Sequence, residues 1–276
     1  MEKRMLFMDL DGTLLDDHSQ ITAGNRQALE AALERGHGVV ITTGRPLKSA
    51  MKQAHKLDLD KPGCYLIAYN GAVIYDWEKQ EQVFARTLEI PTVEAIFDYV
   101  NPRGFHLQTY DTWEVLVEKR CDNWILRRYC QRILMDFRVI EDVHQDLTEE
   151  PVKVLIIEPE SREAILQLQQ ELEQKFAGQV DTFFSNPTYL EVVPKGMNKG
   201  EAVRMLCQML HVPLENAVAV GDAANDLSMI AMAGIGVAMA NGTEEVKAIA
   251  NYITTCDNNH DGIAEVVNRF FLEPVC

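Results

Sequence analysis

Two aspartates one residue apart stand in the stretch Asp9-Leu10-Asp11-Gly12-Thr13. They close a short apolar run, Arg4–Leu10, that reads as a buried parallel strand. In extended chain, side chains at positions i and i+2 point the same way, so Asp9 and Asp11 can address one site. Adjacent carboxylates repel each other, which raises one pKa or demands a cation. Magnesium suits such oxygen ligands and is commonly held by one or two carboxylates plus a substrate phosphate. Gly12 permits a sharp turn and Thr13 offers a hydroxyl. Alone, such a pair reads more simply as a capping or solvated turn.

Three further stretches change the weighing. Gly221-Asp222-Ala223-Ala224-Asn225-Asp226 again follows an apolar strand-like run. Helix capping by Asn and Asp explains one such cluster, but two at strand ends point to a shared site. Thr42-Thr43-Gly44-Arg45 also lies just beyond a β-branched run. There Thr43 can donate a hydroxyl hydrogen bond and the Gly44 amide can approach a phosphate unobstructed, while Arg45 is read as structural. Lys199 opens a helix, where a cation opposes the helix dipole unless phosphate or clustered acids surround it. Lys195 is read as a solvated charge. Formal charge fits this grouping. Asp9, Asp11 and Asp222 bring three negatives, a phosphate monoester about two more, and one magnesium with Lys199 returns three positives.

The elements that must carry these residues alternate at both ends of the chain. Strand patterns at Gly38–Thr43, Tyr65–Tyr69, Ala217–Gly221 and Ile235–Met239 are interleaved with helical ones. Asn70-Gly71 is a tight-turn signal into Ala72–Tyr75. Between about Gln82 and Pro187 alternating strands and helices replace this pattern, as for an α+β unit with an antiparallel sheet. The predicted fold class is α/β: a doubly wound, Rossmann-like parallel sheet over 1–82 and 188–276, interrupted by an inserted α+β domain over 83–187.

Bulk properties narrow the function classes. The chain has 276 residues and a formal net charge of −16, with 47% hydrophobic and 25% charged residues. That composition supports a globular core, and the acidic excess disfavours nucleic acid and anionic membranes as partners. No apolar run approaches the roughly 20 residues of a membrane span, and the acids at Asp9 and Asp11 interrupt any leader-like region. A cytoplasmic location is expected. The six cysteines contain no CxxC pair, so they read as incidental reduced thiols.

Taken together and in this chain order, Asp9-Leu-Asp-Gly-Thr13, Thr43-Gly-Arg45, Lys199 and Gly221-Asp-x-x-Asn-Asp226 resemble the haloacid dehalogenase superfamily of phosphatases. The Asn-Asp ending, Asn70-Gly71-Ala72 and the place of the insertion are similar to its Cof-type branch with the larger α/β cap. The resemblance implies a magnesium-dependent hydrolase of small phosphate monoesters, sugar phosphates among them, with the inserted domain as a specificity cap. It implies Asp9 as nucleophile and metal ligand, and Asp11 as general acid and base and as a further metal ligand. It implies Leu10 as a backbone contact, Thr43, Gly44 and Asn225 as phosphate contacts, and Lys199 as stabiliser of the intermediate. Asp222 would bind the metal and Asp226 would orient its shell. Ala223 lacks the hydroxyl that the family often has there. A phosphomutase or phosphotransferase on the same scaffold is the alternative reading, and a non-enzymatic sensor of phosphorylated ligands a third. Substrate identity and oligomeric state are not legible.

Overall fold

The structure, a computed structural model, describes residues 2–272. Along the chain come β1 (Met5–Met8), α1 (Ala23–Glu34), β2 (Gly38–Thr42), α2 (Leu47–Lys56), β3 (Cys64–Ala68), β4 (Val73–Asp76) and β5 (Glu81–Ala85). Then follow α3 (Ile90–Val100), β6 (His106–Tyr110), β7 (Glu114–Glu118), α4 (Trp124–Ile133), β8 (Asp136–Ile140), α5 (Val143–Asp146), β9 (Val154–Ile157), α6 (Arg162–Lys175), β10 (Val180–Asn186) and β11 (Tyr189–Pro194). The last stretch holds α7 (Lys199–Met209), β12 (Ala217–Gly221), α8 (Leu227–Met232), β13 (Ile235–Ala238), α9 (Glu244–Ile249), β14 (Tyr252–Ile253) and α10 (Gly262–Val267).

The chain divides into two compact units. One runs up to Gly44 and includes Ala50–Phe84 and the chain from Asn198 onward, and the other is Ala85–Met197 with the short stretch Arg45–Ser49. The first unit holds a sheet in the order β14-β13-β12-β1-β2-β3-β4-β5, parallel from β14 to β3, with β4 antiparallel to β3. Strands β1, β2, β3 and β12 are buried along their whole length, as parallel strands covered on both faces must be. Met5, Phe7, Val40 and Ile67 pack with Val203, Leu206, Met229 and Ile230 of α7 and α8, and each such side chain stabilises by roughly 1.5–3 kcal/mol. The chain runs from β1 to β2 on one side and later enters β12 on the other. That reversal makes the carboxyl end of β1 the switch point at which such sheets bind ligands.

The second unit carries its own sheet, in the order β10-β11-β9-β6-β7-β8. Its pairs are antiparallel except β7 with β8, which is parallel because α4 crosses over between them. Strand β11 lies between β10 and β9 in this sheet. The structure therefore changes from one unit to the next at Phe84/Ala85 and Met197/Asn198, whereas the sequence places the second change at 187/188, inside the turn joining β10 to β11. Its pairing with β10 and β9 assigns β11 to this sheet. Among the described residues no helix is long and apolar enough to cross a membrane.

Candidate active site

Three neighbouring strands end together. Met8 stands opposite Ile41 of β2 and Val220 of β12. The residues that follow, Asp9, Thr42–Thr43 and Gly221–Asp222, therefore emerge at one edge of the sheet. Asp9 is 6% exposed, and its backbone N–H donates to the Val220 carbonyl at 3.1 Å. Lys199 is the first residue of α7, whose Asn198 cap accepts from the Glu201 N–H at 2.9 Å. Its fully buried ammonium donates to Asp9 Oδ1 at 2.5 Å and to Asp226 Oδ1 at 2.6 Å. Those two carboxylates supply the reason for a cation at a helix N-terminus.

The Asp222 loop is bound to itself and to the Asp9 loop. Asp226 Oδ2 accepts from the backbone N–H groups of Asp222 at 3.0 Å and Ala223 at 3.1 Å. Ala223 thus contributes through its backbone. The Thr13 hydroxyl donates to Asp222 Oδ1 at 2.7 Å. Gly12 has φ +88°, and a Cβ there would lie 2.6 Å from Asp222 Oδ2, so both its conformation and its surroundings require glycine.

Carboxylate oxygens of Asp9, Asp222 and Asp226 all lie within 4.8 Å of one another. One buried ammonium faces these three acids, so the group has room and charge for a hard divalent cation with oxygen ligands. The electrostatics agree. Burial, with Asp226 and Asp222 adding to it, pushes the Asp9 carboxyl up to about 8 in spite of Lys199. Burial likewise raises Asp222 to about 6, against the Thr13 hydrogen bond. Burial works against the Lys199 ammonium, but Asp226 and Asp9 outweigh it and hold its pKa above the ordinary lysine value. Such a pocket disfavours further negative charge until a cation enters.

The residues singled out from the sequence fall into two groups. Asp9, Asp222, Asp226 and Lys199 converge, and Asp226 is more central than its expected supporting role. Asp11 does not join the three converged carboxylates, and its side chain is exposed. The i, i+2 argument assumed extended chain, but β1 ends at Met8 and residues 10–14 turn back, with Leu15 N–H bonded to the Leu10 carbonyl at 2.9 Å. Leu10 is buried in this turn. Thr43 is buried past the end of β2, with Gly44 next to it. Asn225 is half-buried in the short helical turn Ala224–Asp226. Lys195 is exposed and pairs with Asp181 within the second unit. His106 is buried in the second unit's sheet beside Gln108, and His144 sits on that unit's surface against Asp98.

Asn241 carries no role in the sequence reading, and Thr243 enters it only as the cap of a helix. Asn241 Nδ2 donates to the Gly12 carbonyl at 2.8 Å, and the Thr243 N–H donates to the Asp222 carbonyl at 2.9 Å. One short segment past β13 thus holds both acidic loops. The signal was the one already used: a polar side chain just beyond an apolar parallel strand.

Comparison with known proteins gives this geometry its setting. The family described as haloacid dehalogenase-like hydrolase matches residues 6–267. A crystal structure of a haloacid dehalogenase-like hydrolase from Bacteroides thetaiotaomicron superposes with a TM-score of 0.88 at 32% identity, over 98% of this chain and all of that one. The 5-amino-6-(5-phospho-D-ribitylamino)uracil phosphatase YitU of Bacillus subtilis (strain 168) is 29% identical, over 97% of each chain. The HMP-PP phosphatase of Serratia proteamaculans (strain 568) is 30% identical, over 89% of this chain and 87% of its own. Matched over nearly its whole length, the chain belongs to the haloacid dehalogenase-like hydrolases and is an enzyme of their phosphatase class.

Proposed function

We propose that the protein hydrolyses small phosphate monoesters through an aspartyl-phosphate on Asp9, with magnesium held by Asp9, Asp222 and Asp226. The observation that carries this reading is the meeting of Asp9 with Lys199 and Asp222, which are distant in sequence, at the switch point of the sheet. The Asp9 carboxylate attacks phosphorus, and the bond from phosphorus to the departing alkoxide breaks. Asp11 gives that alkoxide a proton. A water then attacks the aspartyl-phosphate, Asp11 takes its proton back, and phosphate leaves with Asp9 restored. Asp11 is exposed, on the side from which a leaving group would arrive from solvent. Lys199 holds Asp9 in place and offsets the charge that gathers there. Thr43 and Gly44, just past the end of β2, bind the phosphoryl oxygens in this reading, and Asn225 assists them. When bound, magnesium supplies charge neutralisation between the acids and the phosphoryl group.

We further assign Ala85–Met197 the role of substrate-selecting cap, since its sheet is separate from the one that carries the acids. The Bacillus and Serratia relatives named above are called phosphatases of small molecules, which supports a small phosphorylated metabolite as substrate. Purified protein with magnesium is expected to release phosphate from p-nitrophenyl phosphate, and excess chelator to stop it. Asp9→Asn is expected to lower kcat by on the order of 10³-fold or more. Equal activity of the two proteins would refute the nucleophile assignment. Transfer of labelled phosphate to added alcohols in preference to water would instead favour a phosphotransferase.

A further inference from the structure

Asn70 is buried, 5% exposed, in a turn that the proposed reaction leaves without a role. The turn Tyr69–Gly71 joins β3 to β4, and Tyr69 and Asn70 both adopt left-handed backbone, with φ of 51° and 53°. Two successive non-glycine residues in that region persist only where their surroundings hold them. The Asn70 N–H donates to the Thr43 carbonyl at 3.0 Å, and the Thr43 N–H donates to the Ile67 carbonyl at 2.8 Å. The Asn70 carboxamide lies flat against Gly44: a Cβ on that glycine would stand 2.9 Å from Nδ2 and 3.0 Å from Oδ1. Oδ1 is buried and accepts no hydrogen bond. An unmet buried acceptor is retained where the side chain serves another purpose. On the other side of the turn, Gly71 has φ +110°, and a Cβ there would come within 2.3 Å of the Asn198 carbonyl oxygen. Asn198 caps the helix whose first residue is Lys199.

We propose that Asn70 is a positioning residue for phosphate recognition, its turn forming a bracket that sets the Thr43–Gly44 segment against the helix start bearing Lys199. The inference rests on the phosphatase reading above and deepens it. Asn70 touches no reacting atom. It acts by filling the space over Gly44, so that the Gly44 amide and the Thr43 hydroxyl keep one arrangement relative to the ammonium of Lys199. Both contacts of the bracket are too close to admit a Cβ on either glycine, and the Asn70 N–H ties the turn to Thr43.

The test uses full-length protein, p-nitrophenyl phosphate as substrate and inorganic phosphate as competing inhibitor. Asn70→Gly keeps the left-handed backbone and the bond to Thr43 but removes the carboxamide. It is expected to raise both KM and the phosphate inhibition constant by about 10-fold, with a smaller change in kcat and little change in melting temperature. Gly44→Ala presses on the same pair from the opposite side and is expected to raise both constants similarly. Because Asn70→Gly opens the space the new methyl needs, the double variant is expected to be no worse than either single one. Unchanged constants in Asn70→Gly, a lowered melting temperature with unchanged constants, or losses that simply add in the double variant would each overturn the inference alone. Wild-type protein that neither releases phosphate nor is inhibited by it would remove the phosphatase reading, and this inference with it.

Discussion

At the scale of single residues, the site is a problem of charge in a small buried space. Asp9, Asp222 and Asp226 share one ammonium, and burial raises Asp9 to about 8 and Asp222 to about 6. A cation binds the ionised forms, so its entry must displace whatever protons these groups hold. Near neutral pH, magnesium binding is therefore expected to release protons. Its affinity is expected to rise with pH through about 6 and about 8 and then level off. Calorimetric titration in two buffers of different ionisation enthalpy measures the release directly. Affinity that stays flat across this window, with no proton release, would contradict the three-acid site. The sequence located Asp9, Asp222 and Lys199 because residue type and strand-end position together carry the signal. It grouped Asp11 with them from extended-strand spacing; the chain turns after Met8, and Asp11 lies outside the three-carboxylate group while its charge still acts on Asp222.

At the scale of elements, the last strand and helix of the parallel unit are tied by one carboxylate. Glu265 of α10 accepts from the Tyr252 hydroxyl at 2.5 Å, the Thr255 hydroxyl at 2.8 Å and the N–H groups of Thr255 and Cys256 at 3.0 Å. Burial alone would raise its pKa, but these donors outweigh it and lower the group from 4.5 to about 2. A carboxylate depressed in the folded state stabilises above its ordinary pKa, and the contribution fades as pH falls toward the folded value. Glu265→Gln is thus expected to cost about 1–3 kcal/mol at neutral pH. The gap between variant and wild type is expected to narrow between pH 4.5 and about 2. Urea unfolding at several pH values tests this, and a gap independent of pH would count against it. Helix starts do leave a local trace, since the side chains of Thr22 and Ser161 each accept from a backbone N–H in the first turn of their helix. The tie through Glu265 leaves none, because its partners lie nine to thirteen residues away and share no local pattern with it.

At the scale of the whole molecule, the division into units follows strand pairing. Strand β11 lies between β10 and β9, so a fragment ending at 187 leaves β9 and β10 without their shared neighbour. A fragment spanning 85–197 is expected to unfold cooperatively in urea, and one spanning 83–187 to show no cooperative transition by circular dichroism. Equal transitions in the two would show that β11 is dispensable and that the earlier boundary suffices.

The sequence by itself determined the class of fold, the interruption of the core, and the acids and lysine of the site. Apolar runs ending in polar residues record burial and strand ends directly, wherever the interacting partners lie. Tertiary structure alone decided which carboxylates converge, which sheet owns β11, and that Asn241 and Asn70 hold loops made elsewhere in the chain. These depend on the register of strands distant in sequence and on side-chain contacts a few ångströms long, and neither leaves a periodic trace in the order of residues.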